Sequence, residues 1–154
     1  KEIQEKEREF LRVISDLRSK YHLSGKSDIK IYRGKTGIDF LLEDVVTSKA
    51  KNLYVFSNKD EFLPPEQREK IYQKIEQRVG DISVQELVSE PRTSSLSYVK
   101  VGKIKKEELP FQGVAIIYSK ALLFPSGKEG VVLEDEHFVN FLSSLFELLT
   151  QGRT

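Results

Sequence analysis

Apolar and polar positions change their period several times along this chain, and each change marks an element. The strongest block runs from Gly113 to Leu149. Residues 114–118 are nearly all apolar, Ser119-Lys120 makes a polar corner, residues 121–124 are a second apolar run closed by Pro125-Ser126-Gly127, and residues 131–133 are a third. Short apolar runs between turn signals predict strands buried on both faces. Glu134-Asp135-Glu136 then opens a helix, its acids suited to the positive end of the dipole. Phe138, Phe141, Leu142, Leu145, Leu148 and Leu149 form one broad stripe on that helix, predicted to face the core.

The opening residues 1–21 carry a different period. Ile3, Phe10 and Leu17 recur every seven residues, Ile14 and Tyr21 recur on the neighbouring seam, and Glu7 interrupts it. This a/d pattern predicts a coiled-coil-type helix of roughly 30 Å. Phe10, Ile14, Leu17 and Tyr21 are the expected seam of a homodimer; the alternative is that the same seam packs on its own domain. Ser24-Gly25-Lys26-Ser27 breaks the helix. The expected organisation is a linker and dimerisation helix over 1–24, then an α/β domain over 25–154.

Within that domain, Ile29-Lys30-Ile31-Tyr32 alternates as a strand. A helix follows with Ile38, Leu41, Leu42 and Val45 on one face, Thr36 as its expected cap and Asp39 three residues on. Leu53-Tyr54-Val55-Phe56 is the next strand, so strand, helix and strand in series predict a right-handed parallel crossover. The polar residues Ser57, Asn58, Lys59 and Asp60 fall at that strand's carboxyl end, where open α/β sheets bind ligands. A helix over 66–79 has Ile71, Tyr72, Ile75 and Val79 on its apolar side and ends at Gly80. A strand over 82–88, a loop over 89–97 and a short strand over 98–102 come next. Arg92 in the loop is a candidate anion clamp, because its fork matches carboxylate or phosphate. The sum is an α/β domain: a mixed β-sheet flanked by helices, with an added N-terminal helix.

Composition narrows the chemistry. The 154 residues carry a formal net charge of +1, which gives no global attraction to nucleic acid or acidic membrane. Lys100, Lys103, Lys105 and Lys106 are followed by Glu107 and Glu108 without aromatic interleaving, a weak nucleic-acid signal. The absence of cysteine rules out thiol chemistry, and His22 and His137 lie too far apart to suggest a metal site. No cofactor is expected. No apolar run is long enough to span a bilayer and no signal-peptide pattern opens the chain, so a cytoplasmic location is expected. The start at Lys1 and the lack of methionine suggest a piece of a longer protein. Gly34-Lys35-Thr36 sits between a strand and a helix, but a phosphate-binding loop needs a glycine where Ile29 stands. Neither histidine follows a nucleophile-elbow pattern, and no paired carboxylates stand above background.

Residues from about Asp28 to Leu149 resemble the C-terminal effector domain of the TrmB family of transcriptional regulators. The resemblance lies in the strand-glycine-helix block 29–38, the strand Leu53-Tyr54-Val55-Phe56, and the final block 116–124, 131–135 and 141–149. It implies a phospholipase D-like fold that has lost the enzyme's chemistry, following a winged-helix DNA-binding domain through a dimerising helix. The phospholipase motif is His-x-Lys-x-x-x-x-Asp. Matching its corner here puts Gln112, Val114 and Ser119 in the places of histidine, lysine and aspartate. A glutamine amide cannot replace a nucleophilic histidine.

The resemblance therefore implies a non-enzymatic ligand-sensing and dimerisation domain, reaching DNA only through an upstream winged helix. A small polar effector, a sugar or another metabolite, is the expected ligand. Ser57, Asn58, Lys59, Arg92 and Gln112 are the candidate contacts. The alternatives are a degenerate phospholipase D-like phosphodiesterase and a purely structural protein-interaction module.

Overall fold

The computed structural model describes residues 8, 9, 12, 29–58, 62–105, 107 and 112–151. The elements are β1 (Ile29–Arg33), α1 (Gly34–Thr47), β2 (Asn52–Asn58), α2 (Pro65–Val79), β3 (Ser83–Val88), β4 (Val99–Lys103), β5 (Gly113–Ile117), β6 (Ala121–Ser126), β7 (Glu129–Leu133) and α3 (Glu136–Thr150). Each lies within a residue or two of its expected place. Residues 8, 9 and 12 are helical. Phe10, Ile14, Leu17 and Tyr21 lie outside the described residues, so no long N-terminal helix is described.

The seven strands form one mixed sheet in the order β1-β7-β6-β5-β2-β3-β4. Pairing is antiparallel from β1 through β7, β6 and β5 to β2, and parallel from β2 to β3 and β3 to β4. The expected crossover between the first two strands is parallel but does not join neighbours. β1 and β2 point the same way, but β7, β6 and β5 stand between them. The reason is the meander at the end of the chain. Its two tight corners force an antiparallel ribbon, which enters the sheet whole and separates the earlier pair. Of the two adjacent parallel pairs, β2–β3 is the one bridged by a helix, α2.

Alternation along the strands sends side chains to two layers. On one face Leu53, Val55, Val84, Val114, Ile116, Leu122, Phe124 and Val132 pack with Ile38, Leu41 and Val45 of α1 and Tyr72 and Ile75 of α2. On the other, Tyr54, Leu87 and Ile117 pack with Val139 and Phe146 of α3. Burial of each such side chain stabilises the fold by about 1.5–3 kcal/mol.

Helix starts and faces bring further corrections. Thr36 is not a cap: α1 begins at Gly34, its N-cap is Arg33, and no side chain caps it. Asp39 instead accepts from Lys35 Nζ at 2.7 Å. On α3 the N-cap is Asp135, whose Oδ1 accepts from the Phe138 amide at 3.0 Å. Glu134 therefore lies outside that helix. The expected apolar stripe is rotated too. Val139 and Phe146 are buried against the sheet, with Leu142 and Leu149 beside them, whereas Phe141, Leu145 and Leu148 are 42%, 42% and 65% exposed. The apolar face spans about half of the helix, wider than the strip the sheet covers, so periodicity could not say which edge of that face the sheet would take.

Candidate functional site

The carboxyl ends of β2 and β3 converge with the amino end of β5. Ser57 lies opposite Val88 on one side and Val114 on the other, and Asn58 lies opposite Gly113. Gln112 immediately precedes that glycine. Ser57 and Asn58, neighbours on β2, thus meet Gln112, distant in sequence, at one end of the sheet. Ser57 and Asn58 are 7% and 2% exposed, and Gln112 is exposed. Lys59 lies outside the described residues. Gly113 has φ +124°, a region side chains avoid, and a Cβ there would collide with the Phe124 carbonyl. The close approach of β5 to β6 at this end needs that glycine.

The fifth candidate, Arg92, leads to residues that sequence reasoning missed. Glu86 sits in the middle of β3 with 0% exposure. Arg68 of α2, 2% exposed, grips it from above, with Nε donating to Oε2 at 3.1 Å and Nη2 to Oε1 at 3.3 Å. Tyr72, one turn further along α2, donates its hydroxyl to Oε2. Arg92 donates from Nε to Oε1 at 3.1 Å, and its other nitrogens donate to Glu69 Oε2 at 3.0 and 2.6 Å. Arg68 Nη1 donates to the Leu63 carbonyl at 2.8 Å and to Ser57 Oγ at 3.4 Å. Ser57 and Arg92 therefore belong to one polar network whose centre is the Arg68–Glu86 pair.

Electrostatics follow from this burial. Burial alone would lower the Arg68 pKa, but the Glu86 carboxylate beside it more than compensates and holds the guanidinium charged. Burial, followed by the nearby Glu86 charge, pushes the Tyr72 hydroxyl well above its ordinary range, so it stays a neutral donor. Two arginines against Glu86 and Glu69 leave the cluster neutral overall. Arg68 donates and cannot take a proton, so it fixes the Ser57 hydroxyl without activating it.

The remaining polar anchors lie elsewhere. Tyr118 and Lys120, at the corner after β5 and at the far end of the sheet, both bind Asp44 of α1. On the α3 face Tyr54 donates to Glu147. Burial, with that hydrogen bond, pushes the Tyr54 hydroxyl up to about 12. Among the described residues no group of three or more His, Asp and Glu side chains is placed to hold a metal ion. No described helix is long and apolar enough to cross a membrane.

A sequence signal for the network existed. Val84, Glu86 and Val88 share one parity on β3, and Arg68, Tyr72, Ile75 and Val79 share one side of α2. A lone acid on one buried face and a lone base on the facing stripe are candidates for each other.

The places matched to the phospholipase motif are dispersed in environment. Gln112 is exposed before β5, Val114 is wholly buried in the core, and Ser119 is exposed at the far corner.

The arrangement has counterparts among solved structures. TrmBL2, an archaeal chromatin protein whose structure shows a novel mode of DNA binding, matches with a TM-score of 0.54 at 12% identity, over 97% of this chain and 66% of TrmBL2. NucT from Helicobacter pylori matches with a TM-score of 0.57 at 10% identity, over 82% of this chain and 97% of NucT. Nuc from Salmonella typhimurium, a phospholipase D family member, matches at a TM-score of 0.49 and 8% identity, over 77% of this chain and 91% of Nuc. No family model matches the chain, and no curated protein matches it by sequence. The chain spans just under two thirds of the length of TrmBL2, and at these identities what it shares with TrmBL2 and NucT is the fold.

Proposed function

We propose that this chain is the non-enzymatic, ligand-sensing domain of a TrmB-like transcriptional regulator. The observation that carries the reading is the state of β5 and its flanks. Where the resembling fold would carry a nucleophilic histidine and its lysine, this chain has Gln112 and a core valine with 0% exposure, Val114. A lysine in Val114's place would be buried among apolar neighbours, a costly location for a charge. The extent of the match to TrmBL2, 97% of this chain, agrees with this reading.

The sensing site in this proposal lies at the strand ends, with Ser57, Asn58, Arg92 and Gln112 as its contacts and Lys59, outside the described residues, as a further candidate. Hydroxyl, amide and cationic groups at one sheet end suit a small polar effector such as a sugar. Binding would favour one arrangement of a dimer held by Phe10, Ile14, Leu17 and Tyr21, and that preference would pass to the DNA-binding part of the regulator.

The test is a thermal-shift screen with sugars and phosphosugars, run beside turnover of bis(4-nitrophenyl) phosphate. A ligand that binds only the folded state raises Tm. The expected outcome is a sugar whose effect disappears in Ser57→Ala and Asn58→Ala, with no turnover. Turnover lost in Lys59→Ala or Arg92→Ala would replace this reading with a phosphodiesterase. Neither a shift nor turnover would favour an interaction module.

A further inference from the structure

From Pro91 to Ser97 the chain forms neither helix nor strand and is fastened to α2 through Glu69. Arg92, Ser94 and Leu96 turn inward while Pro91, Thr93, Ser95 and Ser97 are exposed. Two side chains fasten its middle. Arg92 reaches Glu86 and Glu69, and Ser94 Oγ donates to the same Glu69 oxygen at 2.6 Å. The segment is anchored at both ends. The Ser89 amide donates to the Ser57 carbonyl at 3.0 Å, and Leu96 packs against the core.

The partners of Glu86 divide into two kinds. Arg68 and Tyr72 come from α2, which is part of the folded core. Arg92 comes from a segment with no regular structure. If Arg92 withdraws, Glu86 Oε1 keeps Arg68 Nη2, and Oε2 keeps Arg68 Nε and Tyr72. No buried charge is orphaned, which is the main cost of breaking a buried ion pair. Glu69, 22% exposed, returns to water, and so does Arg92. Loss of Arg68 would instead strip the buried carboxylate of its principal charge partner.

We propose that residues 90–95 form a releasable strap, locked by Arg92, that opens while the Arg68–Glu86–Tyr72 core beneath it stays intact. Opening uncovers the Arg68–Glu86 pair, whose guanidinium touches Ser57. That the strap thereby gates an effector rests on the function proposed above. The strap itself does not, and its test uses no effector.

Hydrogen–deuterium exchange on the whole chain reads the device. Arg92→Ala is expected to speed exchange in peptides covering 89–96 about tenfold, leaving β2, β3 and β5 at the parent rate. Added salt is expected to move the parent in the same direction, because the Arg92–Glu69 link is partly exposed. Arg68→Ala is expected to lose protection across the whole domain or to fail to fold. Unchanged exchange over 89–96 in Arg92→Ala would overturn the proposal. So would loss of protection throughout β2, β3 and β5 in that variant, or an Arg68→Ala effect confined to the strap.

Discussion

Arg68 on α2 and Glu86 on β3 form a two-point ion pair with both side chains out of solvent, Nε to Oε2 at 3.1 Å and Nη2 to Oε1 at 3.3 Å. The pair sets the register of α2 on the sheet, since sliding the helix by one residue would separate the fork from its carboxylate. Breaking a buried pair by removing one partner costs more than the pair gains. Arg68→Ala should therefore lose about 3–5 kcal/mol in urea denaturation. Glu86→Gln should lose a comparable amount, because the amide NH2 at one of the two oxygen positions meets arginine donors and the buried Arg68 charge is left without its counter-ion.

The same reasoning gives the alkaline limit of stability. Tyr54 is raised to about 12, Tyr72 is raised well above its ordinary range and Tyr118 is raised too, burial being the largest cause in each. Their unfolded hydroxyls titrate near 10. A raised folded pKa means that the native state holds protons that the unfolded chain gives up. The stabilisation is whole below pH ~10 and is lost as pH climbs toward and through the folded values. Unfolding free energy should be insensitive to these groups up to pH ~10 and fall above it. Tyrosinate absorbance should show a late phase that coincides with unfolding; these tyrosines ionising freely in a still-folded chain would contradict it.

Two positions on α3 test which side of that helix the sheet holds. Phe146 is 1% exposed and its ring packs against Tyr54 and Phe56. Phe146→Ala should cost about 3–5 kcal/mol. Leu148, 65% exposed, should accept aspartate within about 0.5 kcal/mol. Denaturation midpoints of the two variants decide it, and a reversed order would mean that the helix is turned.

Gly113 should tolerate no side chain. Alanine there meets both the positive φ and the Phe124 carbonyl. The φ alone costs about 1–3 kcal/mol, and relief of the collision adds to it. Thermal melts of Gly113→Ala should show the loss, with Gly127→Ala as a milder comparison, because a Cβ at Gly127 meets only the Phe62 side chain.

The proposed dimer seam has its own measurement. Asp at both Ile14 and Leu17 should convert a dimer into a folded monomer in sedimentation velocity, since two charges in an a/d seam leave no apolar stripe to bury. A parent chain that is already monomeric at high concentration would refute the seam.

The element series was legible in the sequence wherever local chemistry decides structure. Turn residues at Ser119-Lys120 and Pro125-Ser126-Gly127 marked the corners of the meander, and Gly80 closed α2 with φ +86°. Alternation identified the strands, and the polar residues after Phe56 marked the sheet end where Ser57, Asn58 and Gln112 come together. These depend on neighbours a few residues away. What only the tertiary structure decided were relations between distant segments. Three strands entered between β1 and β2 because the meander folds as a unit. The sheet took Val139 and Phe146 rather than Leu145 and Leu148 because the apolar face of α3 is wider than the strip a sheet can cover, and packing alone selects the strip. Parity made Glu86 a candidate for a buried acid, but its pairing with Arg68, eighteen residues earlier, came only with the tertiary structure. A charge survives inside a protein when a partner arrives through space, and sequence order does not encode that distance.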